Sequence, residues 1–196
     1  MAVINRLRGF WDFFPFARAT KESAAPPLVV PYIPPSSPSA ALQEFAQVYA
    51  LHPLTLSHLD ELWQLDKRCF VNGEAYSRAT LDYLLGAPNC LSYRVVLPSG
   101  AMVGFIITML EDDGTGHITT IGVAPEHRRH GLAYRLLQKA ENAYRQRNVR
   151  LMRLEVRTAN AGAQKLYVRA GYIVMQRLAR YYANGGDGLL MVKSLV

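Results

Sequence analysis

Residues 121–133 read Ile121-Gly122-Val123-Ala124-Pro125-Glu126-His127-Arg128-Arg129-His130-Gly131-Leu132-Ala133. A β-rich run enters a turn and leaves it at helical spacing, which predicts a strand–turn–helix unit. Backbone N–H groups in the first turn of a helix lack intrahelical partners, and the helix dipole adds positive potential there. Gly131 and Ala133 are small enough for a diphosphate to approach the backbone, and Arg128, Arg129 and His130 place positive charge around it. An ordinary solvated turn can carry the same residues, so the stretch alone leaves both readings open. Two other phosphate loops are excluded. Nothing matches G-x-x-x-x-G-K-[ST], and a single glycine past the chain's midpoint is not G-x-G-x-x-G in an early strand–helix unit.

The unit sits in a regular α/β pattern on both sides. Upstream, the pattern predicts a short strand over 47–53, then a helix through Leu62 and Leu65 begun by a capping box of Ser57 and Asp60. A second helix is capped by Ser77. Two β-rich runs, 91–97 and 101–110, are joined by the hairpin signal Pro98-Ser99-Gly100, and a strand over 117–124 follows an acidic turn. Downstream come a helix over 129–147 with Ala133, Leu136, Leu137, Ala140 and Tyr144 on one stripe, a strand over 150–157, and a helix over 161–170 ended by Gly171. Strands near 172–178 and 188–195 close the pattern. The sum is an α/β fold, a mixed sheet of about seven strands with four helices.

Residues 1–45 differ in kind. Phe10, Trp11, Phe13, Phe14 and Phe16 cluster among basic residues, and six prolines follow within 24–40. Such a stretch favours extended conformations, so residues 1–45 are expected to form a poorly ordered or self-docked extension ahead of one domain over 46–196.

Composition narrows the class. Hydrophobic residues make up 50% of the 196 and charged residues 19%, enough to bury a core. No run approaches the ~18–20 apolar residues of a membrane span, and Asp12 and Pro15 interrupt any signal-peptide core. Cys69 and Cys90 are too few for a disulfide framework and form no C-x-x-C, so they are expected to be small core hydrophobes. A cytoplasmic chain without a metal is the expectation. The formal net charge of +7 divides unevenly: +1 over residues 1–50, −4 over 51–125 and +10 over 126–196. A basic C-terminal third suits an anionic partner, nucleic acid or a polyphosphate cofactor.

The strand Leu151-Met152-Arg153-Leu154-Glu155-Val156-Arg157 carries the second chemical signal. Alternation puts Met152, Leu154 and Val156 on one face and Arg153, Glu155 and Arg157 on the other. Lying between helices, the strand should be central, where a carboxylate is costly unless paired or open to a cleft. Glu155 is then either half of a Glu–Arg pair within the strand or a general base. Asn160 suits a cap on the next helix. Tyr167 on that helix is either a satisfied core phenol or a proton donor.

The ordered set R-x-x-G-x-A (Arg128 to Ala133), L-E-V-R (Leu154 to Arg157), Asn160, Leu166-Tyr167 and Gly171-Tyr172 resembles the GNAT superfamily of acyl-CoA-dependent N-acyltransferases. Within it, Arg180-Tyr181-Tyr182-Ala183-Asn184-Gly185-Gly186-Asp187 is similar to the protein N-terminal acetyltransferases, the RimI-like and archaeal group. The resemblance is strong over 115–196, weaker over 46–114 and absent over 1–45. It implies acetyl-CoA as co-substrate and the α-amino group of a protein N-terminus, a ribosomal protein among the candidates, as acceptor.

By the same resemblance, the backbone of Ile121, Gly122 and Val123 would meet the pantetheine and acetyl carbonyl. Arg128, Arg129, His130, Gly131, Leu132, Ala133 and Tyr134 would cradle the pyrophosphate, and Asn160 would contact the pantetheine arm. Glu155 would be the general base, with His117 sharing that role, and Tyr167 the general acid. Tyr76, Tyr181 and Tyr182 would wall the acceptor site. No metal is implied. Two other functions stay in view: acetylation of a lysine side chain or small-molecule amine, and an RNA- or ribosome-binding module using the basic third.

Overall fold

The computed structural model describes residues 48–71 and 74–196. The extension expected over residues 1–45 lies outside the described residues. The chain runs β1 (Ala50–Pro53), a 3-10 turn (Leu56–His58), α1 (Leu59–Cys69), α2 (Arg78–Gly86), β2 (Cys90–Val96), β3 (Met102–Leu110) and β4 (Gly116–Val123). A second 3-10 turn (Pro125–His127) leads to α3 (Leu132–Gln146), β5 (Leu151–Arg157), α4 (Ala161–Arg169), β6 (Ile173–Leu178) and β7 (Gly188–Ser194). The strands form one sheet in the order β1-β2-β3-β4-β5-β7-β6. Every neighbouring pair is antiparallel except β4 and β5. The expected α/β architecture of seven strands and four helices is therefore present.

Local chemistry explains the boundaries. Ser77 caps α2 by accepting the Thr80 N–H at 3.0 Å, and Gly100, with φ 87°, makes the tight β2–β3 turn. One cap differs from expectation. Helix α1 does not start from Ser57 and Asp60: the chain first turns through the 3-10 segment, and His58 Nδ1 accepts the Thr55 N–H at 3.2 Å. Thr55, extended at φ −133° and ψ 171°, is the N-cap of the 3-10 segment, and His58 precedes α1 without a side-chain cap bond.

Of the stripe expected on helix α3, Leu136, Leu137, Ala140 and Tyr144 are buried and Ala133 is half-buried, while Leu132 is buried as well. A Cβ at Gly104 would meet Leu136 of α3, so this residue faces α3. Phe105, next along the strand, points to the opposite sheet face, where α1 lies. Gly122 sits under that ring. A methyl group there would lie 2.6 Å from Phe105 Cε1 and 3.1 Å from Cys69 Sγ. Phe105 is fully buried and has no room to retreat. Gly122→Ala is expected to destabilise the fold by about 2 kcal/mol, read as a lower urea midpoint at unchanged slope. An unchanged midpoint would mean that the ring moves freely.

Candidate active site

The parallel pair at the sheet centre is short. Strands β4 and β5 share three register pairs, Gly116↔Met152, His117↔Arg153 and Ile118↔Leu154. Beyond Ile118, β4 continues to pair with β3 as far as Val123, and β5 continues to pair with β7 as far as Arg157. Among the described residues the β4 edge facing β5 has no ladder partner there, so the two strands part toward their C-terminal ends. An open α/β sheet places ligands at such a crevice.

A bulge re-aims the residues of β4. Thr108 pairs with Ile118 and Ile107 with Thr120, leaving Thr119 without an opposite residue. The alternation shifts by one. Gly116 faces Tyr144 of α3, whereas Gly122, an even number of residues on, faces Cys69 of α1. Thr119 Oγ1 is buried without a hydrogen-bond partner among the described residues.

His117 and Glu155 meet beside this opening. His117 Nε2 lies 2.8 Å from Glu155 Oε2, and the side chains are 9% and 10% exposed. On the other side of the ring, His117 Nδ1 lies 3.5 Å from Glu111 Oε1. One imidazole is thus held between two carboxylates, the inner one in the cleft and the outer one on the β3–β4 turn. The partner of Glu155 is this histidine and not a strand arginine. Arg153 reaches Glu111 and Asp113 at 3.9 Å each, and Arg157 pairs with Glu74 at 2.6 Å. The three polar residues share one face, as alternation predicts, but each takes its own partner from outside the strand.

The turn after β4 has an unusual backbone. Arg129 (φ 70°) and Gly131 (φ 75°) both adopt the left-handed conformation. Gly131 is the N-cap of α3 and supplies no side-chain cap, and a Cβ there would meet no atom within 4 Å. The first helical bond runs from Arg135 N–H to Gly131 O at 3.1 Å. The amides of Leu132, Ala133 and Tyr134 thus lie in an uncapped first turn, which favours an anion. Leu132 can offer only its backbone, because its side chain is 1% exposed. The Arg128 guanidinium braces the turn from below, donating to Val123 O and Cys69 O at 3.2 Å each. His130 Nδ1 lies 3.0 Å from Arg128 O; a carbonyl only accepts, so this nitrogen carries a proton. Ile121, Val123, Ala133 and Tyr134 are half-buried, and Arg129 is exposed. Asn160 caps α4, its Oδ1 accepting the Ala163 N–H at 3.0 Å.

Three tyrosines, Tyr76, Tyr181 and Tyr182, feel the charge of Glu155, and a fourth, Tyr167, interacts with Tyr182. The Tyr181 and Tyr182 rings stand edge to face, 5.1 Å apart, and Arg157 lies 3.8 Å above the Tyr182 ring. Burial, then the negative charges of Asp66 and Glu155, push the Tyr76 phenol up to about 12. Burial also pushes Tyr182 up to about 12, with Arg157 opposing and Glu155 adding to the rise. Tyr181 rises for the same first cause and then through Glu155. Tyr167, buried on α4, is raised by burial and then by Tyr182. All four phenols therefore keep their protons at neutral pH. The Tyr167 hydroxyl has no hydrogen-bond partner among the described residues.

The family model described as the acetyltransferase (GNAT) family matches residues 59–172, more than half of the chain. The chain belongs to the GNAT acetyltransferase family. It is similar to the catalytic subunit NAA20 of the N-terminal acetyltransferase B complex of Arabidopsis thaliana. The two are 36% identical over 142 residues, covering 61% of this chain and 78% of that protein. Among solved structures it is similar to the ribosomal-protein-S18-alanine N-acetyltransferase of Escherichia coli. That match has a TM-score of 0.68 and 25% identity, covering 75% of this chain and 94% of that one. A NatC complex bound to Gag peptide and CoA matches with a TM-score of 0.69 and 25% identity, covering 76% and 99%. This GNAT chain is therefore an acetyltransferase by family.

Three residues around the cleft of this acetyltransferase, Glu111, Glu74 and Asp66, are not among those the sequence points to. Glu111 touches His117, Glu74 pairs with Arg157, and Asp66 bonds the Tyr76 backbone. A signal existed for Arg157, which shares the Glu155 face at a spacing of two. The acidic run Glu111-Asp112-Asp113 looks like a solvated turn until the fold brings it against β5.

Proposed function

We propose that the chain transfers an acetyl group from acetyl-CoA to the α-amino group of protein N-termini. The observation that carries this reading is the His117–Glu155 pair, set where β4 and β5 part and faced by Tyr76, Tyr181 and Tyr182. Relatives named as N-terminal acetyltransferases support it. The name of the Escherichia coli relative makes a ribosomal protein one candidate acceptor.

The turn after β4 fits the co-substrate's diphosphate: an uncapped helix start, open space at Gly131 and basic side chains nearby. Bound there, acetyl-CoA supplies the thioester carbon that the amine attacks. A backbone N–H on the unpaired β4 edge, near Val123, stabilises negative charge on the acetyl oxygen; one such donor is worth about 2.7–4 kcal/mol of barrier. An α-amino group, with a pKa of roughly 7.7–8.0, is mostly protonated at neutral pH. Glu155 Oε2, with His117 Nε2 beside it, takes that proton. Tyr167 donates its hydroxyl proton to the departing sulfur. The wall of tyrosines narrows the entrance, which suits a chain terminus better than a lysine on a folded surface.

The test is the intact mass of two short peptides incubated with acetyl-CoA, one with a free α-amine and one with the α-amine blocked and a lysine free. A mass gain of a single acetyl group is expected on the first alone. Gain on the blocked peptide alone would replace the N-terminal acceptor by lysine. Gain on neither, across a varied panel, would count against both. Binding of RNA that survives excess CoA would favour the nucleic-acid module instead.

Tyr167→Phe is expected to slow transfer about tenfold. The effect is modest for an acid because an aliphatic thiol, with a pKa near 8.5, leaves readily without full protonation. Single-turnover rates at saturating acetyl-CoA measure it, and a parental rate would assign Tyr167 to packing. Gly131→Ala is expected to cost about 1 kcal/mol through left-handed strain. It should also weaken CoA binding in calorimetry, because its methyl occupies the open side of the turn.

A further inference from the structure

Helix α1 buries Leu59, Leu62, Leu65 and, among these leucines, Asp66. The Asp66 residue is wholly inaccessible. Its Oδ2 accepts the Tyr76 N–H at 2.7 Å, and its Oδ1 is buried with no partner among the described residues. A carboxylate half-satisfied in an apolar layer is costly, and a leucine in the same place would pack without that cost. Such a group persists where its one bond matters. The bond is to the residue whose phenol feels the Glu155 charge, and the residue after it, Ser77, caps α2. One contact therefore sets both the position of Tyr76 and the start of α2.

We propose that Asp66 is a positioning residue for the acceptor site, its carboxylate holding Tyr76 in the wall around Glu155 through the Tyr76 backbone N–H. This inference rests on the proposed acetyl transfer to an N-terminal amine. The titratable groups on which the Asp66 charge registers are Cys69, one turn along α1, and Tyr76. Burial and then the Tyr76 N–H set the carboxyl's own titration.

The experiment compares the full chain with Asp66→Leu and Asp66→Asn. The leucine removes the acceptor and keeps an apolar volume; the asparagine keeps an acceptor oxygen. Asp66→Leu is expected to raise the KM for a free-amine peptide about tenfold, the usual scale for one hydrogen bond to a charged group. Its kcat and its KM for acetyl-CoA should stay within about twofold of the parent. Asp66→Asn should restore most of the peptide KM. In a Tyr76→Ala background the leucine should add nothing further. A parallel fall in kcat with peptide KM unchanged would overturn the proposal, as would a leucine effect that persists without Tyr76. Amide exchange at Tyr76 reads the contact without activity: protection should fall at least tenfold in Asp66→Leu. Unchanged protection also overturns it. Inactivity of the parent on every peptide strikes the proposed function instead, and the exchange result then decides the role of Asp66 alone.

Discussion

Glu155→Gln is expected to slow acetyl transfer by about 10²–10⁴-fold, the range for removal of a positioned general base, with affinity for CoA unchanged. The carboxamide keeps the size and much of the polar contact with His117, which lies 2.8 Å from Glu155 Oε2 in the parent. What it lacks is a site to receive a proton. Because β5 pairs with β7 through Glu155 and Arg157, the substitution leaves the backbone register intact. The proposed diphosphate cradle is the turn between β4 and α3, away from Glu155 in sequence, so cofactor affinity should not follow the rate. Single-turnover mass spectrometry gives the rate and calorimetry the affinity. A variant within threefold of the parent would remove Glu155 from the chemistry. A matching loss of CoA affinity would point to a disturbed cleft.

The second large effect is on stability and depends on pH. Burial raises the Asp66 carboxyl to about 6 in the folded chain, the Tyr76 N–H lowering it only in part. In the unfolded chain the group titrates near 3.9. The folded state therefore binds the proton more tightly, and the stability from this group is fully present below about pH 4 and lost as pH rises through about 6. Above that the ionised, buried carboxylate costs on the order of 3 kcal/mol. In Asp66→Asn this titration is gone. The unfolding free energy of the variant minus that of the parent should grow by about that amount between pH 4 and 7, then level off. Urea denaturation at half-unit pH intervals measures it. A difference flat across the range would mean that the parent's carboxyl titrates alike in both states.

The two effects depend on sequence in different ways. Glu155 is legible because period-two alternation sets it apart from Met152, Leu154 and Val156, and because the R-x-x-G-x-A stretch precedes it. Asp66 is not. At helical spacing it looks like one polar residue beside Lys67 and Arg68, and its burial depends on β3 and β4 packing over α1. The start of α1 differs from the sequence expectation for a related reason. Ser57 and Asp60 have the right spacing, but a 3-10 turn moves the extended residue back to Thr55.

The sequence by itself determined the elements and their order, and marked the turn at Gly131 as a candidate anion site, because helix stripes, strand alternation and turn residues act over a few neighbours. Tertiary structure alone decided that β4 and β5 part after three pairs, that a bulge at Thr119 turns Gly122 toward α1, and that Glu111 and Glu155 clasp opposite sides of His117. These contacts join residues dozens of positions apart. Their geometry depends on sheet register and on which helix covers which face, and neither is encoded in any short window of the chain.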